Sequence, residues 1–113
     1  NKIYGNLKGW KFARDSITEY FDNNKQNINE KAVLIKVLLI DALYKTNLKK
    51  PVSVAKHICF LKELDNKIKE GDLSAVEEVR KWNIDILSFA SKFCHFHNKE
   101  AILNNSYYEF SDE

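Results

Sequence analysis

Proline occurs once in this chain of 113 residues, glycine three times and cysteine twice. With so few turn-formers the chain is poorly equipped to close the many hairpins of a sandwich or barrel, which disfavours an all-β architecture. The two cysteines, Cys59 and Cys94, stand alone, without a CxxC or a second pair at metal-ligand spacing. They read as buried, reduced thiols of a cytoplasmic protein. Also missing is an apolar run long enough to cross a bilayer, and no basic-then-apolar leader opens the sequence, so no membrane partner is expected. Neither sign of charge is in large excess: 18 Lys and Arg against 16 Asp and Glu leave a formal net charge of +2. That balance permits nucleic-acid binding without arguing for it, because dedicated binders are usually more basic or more strongly patched. Lysine far outnumbers arginine and asparagine is common, a pattern that looks like coding bias.

What is present is helical periodicity. Trp10, Ala13, Ile17, Tyr20 and Phe21 recur at helical spacing, with Lys11, Arg14, Asp15 and Glu19 between them, which predicts an amphipathic helix ending near Asn23-Asn24. Asn29 is placed as an N-cap, with Glu30 in the first turn where the helix dipole favours an anion. The following segment, Ala32 to Leu43, is apolar nearly all round, interrupted by Lys36 and Asp41, and is expected to be the central, most buried helix. Pro51 suits the first turn of the next element, whose stripe is Val54, Ala55, Ile58, Leu61 and Leu64. A short helix around Asn66 to Glu70 should stop at Gly71, which takes the left-handed conformation of a helix end at no steric cost. Asp72 caps a segment faced by Ala75, Val76, Val79 and Trp82. Asp85 caps the last, with Leu87, Ala90, Phe93, Cys94 and His97.

The expectation is an all-α protein, a single compact domain of five or six helices around a central apolar helix. It covers residues 1–113, with 1–8 and 107–113 as loosely held ends. The length is sufficient for a real core without metals or disulfides.

Three groups carry candidate chemistry. Lys92 lies in an aromatic segment between Phe89 and Phe93, where desolvation can lower an amine's pKa and make it a nucleophile. The alternative is a snorkelling surface lysine whose stem covers apolar neighbours. Cys94 and His97, at i and i+3, could share an ion with His57 or Cys59, but His95 and His97 point about 200° apart on a helix. The favoured reading has Cys94 and His97 packed inward, His95 solvated and neither metal nor cofactor. Lys45, Lys49, Lys50 and Lys56 cluster near Tyr44, Thr46 and Asn47, a mixture suited to phosphate contacts or simply to a solvated loop. Trp10 and Trp82 read as core or half-core anchors, either of which could stack on a base.

Three stretches carry a resemblance. They are Ala42-Leu43-Tyr44-Lys45-Thr46-Asn47, Val54-Ala55-Lys56-His57-Ile58 and the block from Ser88 to Asn98 containing Phe89-Ala90-Ser91-Lys92 and His97-Asn98. Together they resemble a bacterial family related to the helix-hairpin-helix DNA glycosylases, of the 8-oxoguanine glycosylase-like type. The resemblance implies DNA as partner and repair as context, with Lys92 at the position of the lysine that attacks the sugar C1′ of a flipped nucleotide. It places Asn105, or Asn104, where the family has a catalytic aspartate. Asparagine can neither carry that charge nor take the proton. The implied function is a DNA-engaging helical domain with impaired chemistry, in which Lys45, Lys49, Lys50, Lys56 and Lys92 contact DNA. An active enzyme would need a substitute acid such as Glu100. A reading of a different class is a helical interaction protein that binds a protein partner or its own copy through Tyr107, Tyr108, Phe110, Asp112 and Glu113.

Overall fold

The computed structural model describes residues 7–81 and 86–98. They form six helices and no strand: α1 (Leu7–Asn23), α2 (Glu30–Tyr44), α3 (Pro51–Phe60), α4 (Leu64–Lys69), α5 (Ser74–Arg80) and α6 (Leu87–His97). The all-α expectation holds. Trp82, Asp85, Glu100, Asn104, Asn105 and the aromatic-acidic tail lie outside the described residues.

Local chemistry sets the boundaries. The Asn29 side chain accepts the Ala32 N–H at 3.1 Å, the N-cap the sequence predicts for α2. At the other end of α2, Lys45 turns left-handed at φ 54° and its N–H closes on the Asp41 carbonyl. Asp41 then takes the Thr46 hydroxyl at 2.7 Å and the Leu48 N–H at 3.1 Å. The acid that interrupts the apolar run therefore organises the α2–α3 turn. Pro51 opens α3. The stripe from Val54 to Leu64 is not one helix, because the chain breaks at Leu61 and restarts as α4. Gly71, at φ 75°, ends α4 with its N–H on the Ile68 carbonyl and the Asp72 N–H on the Lys67 carbonyl, so two of the helix-end carbonyls are satisfied.

The core lies where α2 and α6 meet. Phe21 of α1 packs edge-on to Phe93 and tilted against Phe96, with centroids 5.6 Å away in each case. Val33, Val37, Ile40, Val54, Ile58 and Phe89 are fully buried around them. Burial of such side chains contributes roughly 1.5–3 kcal/mol apiece. Helix α3 packs chiefly on α2 and is tied to α5 by a His57 Nε2–H to Glu78 carbonyl bond of 2.9 Å.

One expectation for α2 is corrected and one residue gains a place. Lys36, which interrupts the apolar run, is 0% exposed. The helix is also not enclosed, since Ile35 and Leu38 are 42% and 44% exposed and Ala42 lies outward with them. Helix geometry explains both. Positions 33, 36, 37, 40 and 43 share the side facing α1, α3 and α6, whereas 35, 38 and 42 share the opposite one.

Candidate functional site

The block that dominates the sequence, Ser88 to Asn98, is largely core. Phe89, Ala90, Phe93, Cys94 and Phe96 are buried. Burial pushes the Cys94 thiol well up, so it is held protonated. Lys92 is not a snorkelling surface residue. It is 7% exposed, and its ammonium sits 4.5 Å from the centroid of the Tyr44 ring on α2. His95 is half-buried against the Phe96 edge rather than solvated. Lys45, Lys49, Lys50 and Lys56 are all exposed around the α2–α3 connection, whereas Lys92 is buried over Tyr44, the last residue of α2. Trp10 is half-buried, edge-on to Tyr44, with the Arg14 guanidinium 5.0 Å over its ring.

The densest polar arrangement lies elsewhere and joins four elements. Lys36 of α2 donates from Nζ to Asn27 Oδ1 at 2.9 Å and to His97 Nε2 of α6 at 3.1 Å. Asn27, buried in the α1–α2 loop, donates its backbone N–H to Asp65 Oδ2 at 3.0 Å and its Nδ2 to Asp65 Oδ1 at 2.6 Å. The Phe21 ring lies 5.4 Å from the ammonium. An ammonium has no lone pair, so His97 Nε2 must accept, and the neutral ring carries its proton on Nδ1. The 3.3 Å approach of Nε2 to Asn27 Oδ1 is then two acceptors flanking one ammonium.

The electrostatics follow from burial. Desolvation lowers Lys36 to about 8, opposed by the Asp65 charge. His97 is pushed down to about 3 by burial first, then by the charges of Lys36 and Lys25, so it stays neutral at physiological pH. Cys94 and His97 do both face inward, but the His97 nitrogen available to an ion is occupied by Lys36. Among the described residues no group of three or more His, Cys, Asp or Glu side chains is placed to hold a metal.

Beside this cluster a cleft of about 570 Å³ opens between the α1–α2 loop, α4 and the end of α6. Its walls include Lys25, Gln26, Asp65, Asn66, Lys69 and His97. Asn98 holds one edge, its Nδ2 donating to the Ile68 carbonyl at 2.8 Å at the end of α4. Sequence reasoning names His97 but misses Lys36, Asn27 and Asp65. A usable signal existed, since Lys36 shares the helical register of Val33, Val37 and Ile40.

The comparisons with known proteins bear on the assignment. Residues 1–101 match the family described as HI_0787_N, N-terminal domain. The chain belongs to that family. A relative from Haemophilus influenzae, described as an uncharacterized protein, is 36% identical over 83 residues, which is 68% of this chain and 41% of the relative. The chain thus spans less than half the length of that relative. No solved structure matches. The resemblance to helix-hairpin-helix DNA glycosylases is corrected accordingly: the family matched over nearly the whole chain is a different one. The block that carried the likeness has a packing explanation, with its phenylalanines in the core and His97 bound to Lys36.

Proposed function

We propose that this member of the HI_0787_N family is an interaction module that docks, through the outer side of α2 and α3, onto a further domain of a longer protein. One observation carries the reading. Helix α2 has the all-round apolar composition of an enclosed helix, yet Ile35 and Leu38 face outward, and Val52 and Phe60 of the adjoining α3 are 52% and 80% exposed. The occupant is argued from length. The family is an N-terminal domain by description, and the aligned region is 41% of the Haemophilus influenzae relative, leaving ample chain to cover such a face. Calorimetric titration with the separately produced remainder of that relative tests it. Saturable binding is expected, lost in Leu38→Lys and Phe60→Lys. No binding, or self-association of the domain through the same residues, overturns this choice of occupant.

A second reading has its own observation. Lys45, Lys49, Lys50 and Lys56 are exposed within twelve residues of chain, around the start of α3, where phosphate contacts are made. It expects binding to short nucleic-acid duplexes that weakens steeply with salt, with a shallower slope when Lys49 and Lys50 become alanine. An absence of binding at low salt removes it.

A further inference from the structure

We infer that the cleft between the α1–α2 loop, α4 and the end of α6 binds a small oxyanion, a carboxylate or phosphate group carried by a low-molecular-weight ligand. This site is separate from the outer face of α2, and neither reading depends on the other.

The donor set points to the ligand. Lys25 and Lys69 are exposed at the walls, and Gln26 and Asn66 add carboxamide donors. His97 contributes in a way its neighbours fix. Because Lys36 donates to Nε2, the proton sits on Nδ1, and no hydrogen bond among the described residues takes it. The His97 ring is half-buried and lines the cleft. Asp65, the acid among the described residues of the wall, does not oppose an anion fully. Both Asp65 oxygens are engaged by Asn27, and Lys36 stands behind that residue. Two exposed ammonium groups, an imidazole N–H and amides around one engaged carboxylate favour acceptor oxygens. The volume lies within the roughly 300–1,000 Å³ usual for small-molecule sites. Burial keeps His97 neutral, so it would recognise an oxyanion by donating a hydrogen bond rather than as a charge.

The test follows the His97 ring resonances by NMR while the intact domain is titrated with inorganic phosphate, and separately with acetate, at constant ionic strength against chloride. A saturable shift with at least one oxyanion is expected, and the tighter of the two identifies the group recognised. The double variant Lys25→Ala/Lys69→Ala should weaken that affinity about tenfold or more, since it removes both ammonium groups from the walls. Both residues are exposed, and an unchanged melting temperature confirms that the fold is intact. A shift no different from that with chloride overturns the proposal, as does undiminished affinity in the double variant.

Discussion

Ile35 and Lys36 are neighbours in sequence and opposites in environment. The isoleucine is 42% exposed and the lysine 0%. One residue step turns a helix by about 100°, so the two side chains of α2 meet different surroundings. Inside, a charge is tolerated because two acceptors, a nearby carboxylate and an aromatic ring meet it. Outside, aliphatic side chains stand without any cover among the described residues. The comparison shows that partners decide burial as much as hydropathy does. A helix can carry a structural polar network on one side and leave an apolar stripe exposed on the other.

The inner side should break most severely. Asn27→Leu removes an acceptor from the Lys36 ammonium and the Nδ2 donor from Asp65 in one step, leaving Asp65 only the backbone N–H of residue 27. Leaving a buried charge uncompensated typically costs about 3–5 kcal/mol. Urea unfolding should show a loss of that order for Asn27→Leu. Lys36→Met, which deletes the charge itself, should cost about 1–2 kcal/mol, mostly from stranding Asn27 and His97. Equal losses would mean that the ammonium rehydrates when its partner is cut away.

The same network predicts a pH profile. His97 has a lowered folded pKa, about 3 against 6.5 unfolded, so its contribution is complete above pH 6.5 and is lost as pH falls towards 3. Lys36 is also lowered, to about 8 from 10.5, so the unfolded chain holds the extra proton between those values and stability rises with pH across them. These two groups together give a climb from pH 3 to 6.5, a plateau to about 8 and a second climb to 10.5. Each pH unit within a window contributes at most about 1.4 kcal/mol. Chemical denaturation across pH checks the profile. In Lys36→Met the alkaline climb should vanish and the acid limb move to higher pH, because the Lys36 charge helps to depress His97. An unchanged acid limb would show that burial alone sets the His97 value.

Much of the fold was legible because it rests on local rules. The stripe of α1, the Asn29 cap, Pro51 at the head of α3 and Gly71 at the end of α4 each follow from a few adjacent residues. The break at Leu61 was not legible, since the stripe runs through it in register and only the packing of α4 separates the two helices. The polar cluster was hidden for a related reason. Lys36, Asn27, Asp65 and His97 come from four elements, up to 70 residues apart in sequence. Nothing local marks Asn27 as the residue that binds both a lysine and an aspartate. Lys92 drew attention because phenylalanines flank it, yet the ring under its ammonium is Tyr44, a long-range neighbour on α2. The outer stripe misleads in the opposite direction: its composition reads as that of a covered helix, yet Ile35 and Leu38 stand exposed.

That last point yields the smallest effect on stability and the sharpest contrast. If Ile35 and Leu38 serve recognition rather than the core, Leu38→Lys should change the unfolding free energy of the isolated domain by no more than about 0.5 kcal/mol, as exposed substitutions do. Ile40→Ala, two residues away on the inner side and 0% exposed before substitution, should cost about 2–5 kcal/mol. The first variant keeps the fold and loses the partner; the second loses the fold. Were Leu38→Lys as destabilising as Ile40→Ala, the outer stripe would belong to the domain's own core and the docking reading would lose its footing. A neutral Leu38→Lys that still abolishes binding would separate the two sides of α2 into one that holds the molecule together and one that faces its partner.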